Sequence, residues 1–146
     1  MSAQGRSLTS PDEIAALLRS ARRVAVLGIK TEKQSGQPGY YVPEYLAGAG
    51  VEVIPVPVYY PEVTEILGRR VFRAVRDVPG PVDIVDVFRR AEDIPAHLDD
   101  LIAARPRAVW FQSGIRNDRA AEALMAHGID VVQDRCLMVD HRRFVG

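Results

Sequence analysis

Two short stretches of this chain hold residue types that could do chemistry. The first is Gly28-Ile29-Lys30-Thr31-Glu32-Lys33-Gln34-Ser35-Gly36-Gln37-Pro38-Gly39, which contains both lysines of the chain; the other seventeen cations are arginines. Glycine, serine and threonine let backbone N–H groups approach an anion, and a helix start beyond them favours negative charge. Lysine adds a mobile point charge suited to phosphate. The stretch is not G-x-G-x-x-G, and no G-K-[ST] closes it as in a P-loop. A phosphate site and an ordinary flexible connection both fit it. The second stretch is Asp134-Arg135-Cys136-Leu137-Met138-Val139-Asp140-His141-Arg142-Arg143. Cysteine catalysis needs a thiolate, a base and an orienting group, and Cys136, His141 and an aspartate of this stretch could supply them. Spacing alone does not bring Cys136 to His141, and the alternative is a cysteine packed in the core among surface polar contacts. His97 and His127 fall on separate helical patterns with no spacing for joint metal ligation, and G-x-S-x-G is absent.

The whole chain limits what these stretches can belong to. It has 146 residues, 47% hydrophobic and 26% charged, with 19 basic against 19 acidic residues. That is the composition of one ordinary folded domain. Zero net charge argues against a general nucleic-acid binder, which needs a basic surface. The single cysteine excludes an internal disulfide framework and a multi-cysteine metal site. No apolar run reaches the length of a membrane span and the N-terminus does not read as a signal peptide, so a cytoplasmic protein is expected. Residues 1–9 read as a loose tail.

Alternating strand and helix patterns must position the two stretches. Ser10-Pro11-Asp12-Glu13 is a capping box with proline in the first turn, followed by Ile14, Leu17, Leu18 and Ala21 at helical spacing. Residues 24–29, 51–56, 83–88, 108–112 and 130–133 read as five strands, and the continuous apolar run of the first suits a central parallel strand. Helices are expected over Pro43–Ala49, around Ile94–Ile102, and from Asn117-Asp118 to a stop at Gly128. Between Tyr59 and Pro81 a short helix or turn is expected, with an extended piece at Arg70–Phe72. The pattern predicts an α/β fold: a Rossmann-like three-layer sandwich with a five-stranded parallel sheet in the order 3-2-1-4-5. Ligands of such sheets bind at the carboxyl ends of the strands, near the switch point.

Four strand ends therefore matter. Beyond the first lie Gly28 and Lys30. The second runs Val56-Pro57-Val58-Tyr59-Tyr60, with no acid before Glu62. NAD-binding domains normally place an Asp or Glu there for the ribose hydroxyl, so the sequence speaks against NAD. The third ends in Phe88-Arg89-Arg90, an aromatic surface followed by cations; Arg89 could grip a phosphate bidentately or form a helix-entry salt bridge with Glu92 or Asp93. The fourth ends in Gln112-Ser113-Gly114, a close-approach site for a ligand or simply a tight turn.

The segments VAVLGIK (24–30), YYVPEYL (40–46), VIPV (53–56), PVDIVDVFRR (81–90), AVWFQSGIRN (108–117) and DRCLMVDHRR (134–143) together resemble the small stand-alone CoA-binding proteins. They are similar to the CoA-binding domain of the succinyl-CoA synthetase α subunit. The likeness covers residues 10–146. It implies that Gly28, Ile29, Lys30, Thr31 and Lys33 surround the pyrophosphate, and that Val56 and Pro57 contact the adenosine end. It further implies that Phe88 and Arg89 flank the nucleotide, that Gln112, Ser113 and Gly114 face the pantetheine, and that Tyr41 helps close the pocket. Pro57-Val58 stands where relatives carry Asn-Pro, and the first loop is longer than usual. The synthetases' phosphohistidine and ATP-grasp machinery has no counterpart in the chain, so synthetase activity is not implied. The expectation is a binder of coenzyme A or acyl-CoA without catalysis of its own. The rival readings are a nucleotide-dependent oxidoreductase, a CoA-dependent acyl-transfer enzyme using Cys136, and a regulatory module in which CoA sets a conformation.

Overall fold

A computed structural model describes residues 4–146. Its elements are helix α1 (Pro11–Ser20), strand β1 (Arg23–Leu27), helix α2 (Pro38–Gly48) and strand β2 (Glu52–Val56). A two-stranded hairpin follows, β3 (Glu65–Ile66) and β4 (Arg69–Arg70), and then β5 (Ile84–Val87), α3 (Leu98–Ala104), β6 (Ala108–Phe111), α4 (Asp118–Met125), β7 (Asp130–Val132) and α5 (Leu137–Phe144). Ser10 caps α1 as expected: its side chain accepts from Glu13 N, and Glu13 reaches back to the cap amide. The main sheet is parallel throughout and buried on both faces. Val24, Val26, Ile84 and Trp110 pack under α1, α2 and α5, whereas Ala25, Leu27, Val85, Val109 and Phe111 pack under α3 and α4. Among the described residues no helix is long and apolar enough to cross a membrane.

The α/β Rossmann-like class stands, but the strand order differs from the expected 3-2-1-4-5. The sheet runs β2-β1-β5-β6-β7, so the strand at 84–87 pairs with β1, with Val24 opposite Ile84 and Leu27 opposite Val87. The place beyond β2 goes instead to the end of the hairpin segment, where Phe72 N donates to Pro55 O at 3.0 Å. Pro55 has no N–H to offer on that outer edge, so a full ladder cannot form there. The expected extended piece at Arg70–Phe72 is this edge segment. The hairpin turns on Leu67 (φ 55°) and Gly68 (φ 70°), two successive left-handed residues of the kind a two-residue turn requires.

Two further expectations are corrected, and one open path is filled in. Residues 5–8 are not a loose tail: Leu8 N donates to Val131 O and Val131 N to Arg6 O, both at 2.9 Å, which extends the sheet beyond β7, and Leu8 is buried. Residues 1–3 of that segment lie outside the described residues. Helix α2 starts at Pro38 rather than Pro43, because Pro38 is the first-turn proline and Pro43 sits inside the helix. The DRCLMVDHRR segment, whose path the spacing left open, becomes α5 from Leu137 onward.

Candidate ligand-binding site

The carboxyl ends of β1, β5 and β6, the first turn of α2 and the residue that precedes α5 enclose a cleft of about 720 Å³. Its walls bring together Lys30, Tyr41, Phe88, Arg89, Gln112 and Ser113, six of the residues singled out in the sequence. They also include Gln37, Pro38, Gly39, Arg90, Ile115 and Cys136.

The β1 end is shaped by Gly28. Its φ is 86°, and a Cβ there would lie 2.4 Å from Phe88 O, so only glycine fits where β1 leaves the sheet against β5. The next turn is tied to α2 through Pro43. Proline lacks the N–H that would bond to Gly39 O, four residues earlier, and that carbonyl instead accepts from Lys30 N at 3.0 Å. The internal proline thus docks the lysine's backbone on the helix entry. At that entry Gln37 makes no side-chain cap, and Pro38 and Gly39 face the cleft, so the positive end of the helix is presented to it.

The cations meet around Tyr59, which is 56% exposed. Lys30 Nζ lies 5.6 Å from its ring centroid and the Arg89 guanidinium 5.5 Å. Arg89 Nη1 donates to Tyr59 Oη at 3.2 Å, and Nε donates to His97 Nε2 at 3.2 Å. Asp93 approaches Arg89 Nη2 at 3.7 Å, while Arg90 makes the tighter bond to Asp93, at 3.1 Å. The Arg89 side chain is only 15% exposed, so its position is set by packing and these bonds. The hydrogen bond and charge of Arg89 hold the Tyr59 phenol below its ordinary pKa. Burial, with the charge of Arg89, keeps His97 below the usual imidazole range, consistent with a neutral ring accepting from Arg89.

At the β6 end, Gln112 is 5% exposed. Its Oε1 accepts from Leu137 N at 3.0 Å and so caps α5, whose N-cap residue Cys136 makes no side-chain cap. Gly114 has φ 86°, and its amide donates to Asp134 Oδ1 at 2.7 Å. Trp110 Nε1 donates to Arg135 O at 2.7 Å, locking the β7–α5 turn onto the sheet.

The remaining sequence candidates are placed elsewhere. Ile29 is in the core, and Val56 and Pro57 are buried without lining the cleft. Thr31 is buried and turned onto its own loop: its Oγ1 donates to Gln34 Oε1 at 2.7 Å and accepts from Lys33 N at 3.2 Å, capping a short 3₁₀ turn over Glu32–Gln34. That turn carries Lys33 into a separate depression with Glu32, Glu62 and Glu65. The Cys-His-Asp arrangement weighed for Cys136 and His141 is not assembled among the described residues. His141 Nδ1 meets Tyr45 Oη at 3.3 Å in the α2–α5 interface, and Asp140 is taken by Arg135 through bonds of 2.6 and 3.0 Å.

Sequence reasoning passed over Tyr59 as a cation platform and Asp86 altogether. Asp86 lies on β5 two residues before Phe88, on the sheet face shared with Val26 and Trp110. It is 0% exposed, and neither oxygen has a hydrogen-bond partner among the described residues. Burial pushes its carboxyl well above the ordinary range. An acid at an inward position of an otherwise apolar strand was the available signal.

An open parallel sheet with a bare helix entry and cations at its carboxyl edge defines a Rossmann-like ligand domain. Residues 22–142 match the CoA binding domain model, and the chain belongs to that family. It is 32% identical over 132 residues to the uncharacterized protein YneT of Bacillus subtilis (strain 168), covering 90% of this chain and 94% of that one. A solved Thermus thermophilus structure is similar at 40% identity and a TM-score of 0.85, covering 93% of this chain and 99% of that one. Acetyl-coenzyme A synthetase 1 of Ca. Korarchaeum cryptofilum, 19% identical with a TM-score of 0.67, shares the fold over 80% of this chain and 27% of its own length.

Proposed function

We propose that this protein binds coenzyme A or an acyl-CoA in the carboxyl-edge cleft, as a module without chemistry of its own. The observation that carries the reading is the convergence of Lys30, Arg89 and the bare entry of α2 on one side of that cleft, in a chain of the CoA binding domain family. In this reading Lys30, Arg89 and the Gly39 amide take the pyrophosphate, where charge and helix dipole add. Tyr59 and Phe88 offer aromatic surface to the adenine, a role that buried Val56 and Pro57 serve only by shaping the turn beneath. Gln112 and Ser113 face the pantetheine amides, and Tyr41 closes the side formed by α2. Gly28, Ile29, Thr31 and Gly114 hold the backbone that presents these groups. Lys33, in its acid-lined depression, contributes less than Lys30.

Titration calorimetry with CoA, acetyl-CoA, NAD and ATP tests this. CoA and acetyl-CoA are expected to bind, with NAD and ATP much weaker. Binding of NAD or ATP without CoA overturns the reading.

A further inference from the structure

We propose that His97 is a positioning residue for the cleft: as an uncharged acceptor it fixes the Arg89 guanidinium without neutralising it, and so sets how strongly the cleft holds the phosphates of CoA. This rests on the CoA reading above and extends it to a residue outside the cleft wall.

Two adjacent arginines follow β5 and meet different partners. Arg90, whose side chain is 76% exposed, takes the nearby carboxylates: its Nε lies 3.1 Å from Asp93 Oδ2 and 3.6 Å from Glu92 Oε1. Arg89, which lines the cleft, is held on two sides by groups of another kind. Its Nε donates to His97 Nε2 and its Nη1 to Tyr59 Oη, both at 3.2 Å. These bonds use two of the five N–H groups of a guanidinium. Among the described residues its one ion pair is with Asp93, at 3.7 Å, beyond hydrogen-bond reach. The oxygen concerned, Oδ2, is the one already bonded to Arg90. Arg89 is thus anchored like a structural arginine while its charge stays available to an anion.

His97 ends the 3₁₀ turn Ala91–His97 that leads into α3, and it is not part of the cleft wall. The charged groups that face it are Arg89 from the end of β5, Asp93 from its own turn and Asp100 from α3, which is itself paired with Arg76 at 3.8 Å. Burial, and then the charge of Arg89, holds the ring below the usual imidazole range. At neutral pH the ring therefore keeps its single proton on Nδ1 and turns the lone pair of Nε2 to Arg89. A carboxylate in this place would bind Arg89 more tightly but cancel the charge that a phosphate needs. An apolar side chain would leave the charge but release the anchor, and ordering the freed arginine would then count against binding.

Three single variants of the full chain, compared with the parent by calorimetry with CoA and by chemical denaturation, test this. His97→Gln puts an amide oxygen near the place of Nε2 and is expected to bind within about threefold of the parent. His97→Leu is expected to bind about tenfold weaker. His97→Glu is expected to bind at least about tenfold weaker, with an affinity less sensitive to salt, while its denaturation midpoint is no lower than the parent's. Affinity and stability then move apart, which a purely structural role for His97 does not allow. A glutamate variant that binds like the parent, a glutamine variant as weak as the leucine one, or an affinity that follows the midpoint across the set overturns the inference. The parent separates the two claims. If it binds CoA and the variants depart from this pattern, only the role of His97 falls; if it does not bind CoA, the CoA reading falls and this role with it.

Discussion

The two ends of the sheet use their cationic side chains in opposite ways. At the amino end, Arg23 Nε reaches Glu52 at 3.1 Å, and its other nitrogens bond to the carbonyls of Pro79 and Pro81. Asp83 accepts from the amides of Arg22 and Arg23 at 2.7 and 2.9 Å and pairs with Arg107 at 3.6 Å. Burial works against that carboxylate, but these amides and Arg107 outweigh it and hold its pKa below the ordinary value. At the carboxyl end, Lys30 and Arg89 share an aromatic ring and face a cleft, with Asp93 no closer than 3.7 Å to Arg89. Charge consumed by carboxylates and carbonyls stabilises a fold; charge held on a tyrosine beside a bare helix entry is left for an anion. The zero net charge of the whole chain conceals this difference.

The comparison can be broken most severely at Gly28. Gly28→Ala forces a Cβ against Phe88 O and strains a left-handed residue, which should cost about 3 kcal/mol or more in chemical denaturation and remove CoA binding. Lys30→Ala tests the cleft by itself: loss of a charge-assisted phosphate contact should weaken CoA about 10- to 100-fold in calorimetry, with little change in unfolding midpoint. Arg23→Ala is the mirror experiment. It should lower stability by about 1–2 kcal/mol and leave CoA affinity as it was. If Arg23→Ala weakens binding as much as Lys30→Ala, the two ends do not divide the work.

Two smaller effects sharpen the account through pH. The raised pKa of Asp86 means that the folded carboxyl keeps its proton after the unfolded one has lost it. Its contribution is therefore complete below the ordinary Asp range and lost as pH rises toward the folded value. Denaturation of Asp86→Asn across this window should shift the balance toward the variant by about 1.4 kcal/mol per pH unit. His97 acts in the other direction. Its folded pKa is depressed, so its contribution is whole above the ordinary imidazole range and lost as pH falls through the folded value, with buried His141 adding in the same sense. Melting curves of His97→Gln should fall less steeply between about pH 6.5 and 5 than those of the parent.

Much of the fold was legible because its signals are local. The Ser10–Glu13 capping box, the apolar runs and the Asn117 cap each act within a few residues. What escaped was settled at long range. Helix α5 has a cap residue without a side-chain bond, and its cap comes from Gln112. The strand order turned on which edge of β2 lacks an N–H, a fact carried by Pro55 but meaningful only once β1 is in place. Lys30 and Lys33 looked equivalent by composition, yet the Thr31–Gln34 capping box, itself readable in sequence, separates them.

The most direct test of the central claim is an amide NMR titration with CoA. Shifts are predicted to concentrate at residues 28–30 and 37–41, at 88–90 and 112–115, and at the start of α5. Shifts centred instead on Arg22, Arg23, Asp83 and Arg107, or none at saturating CoA, would contradict the assignment of the ligand to the carboxyl edge.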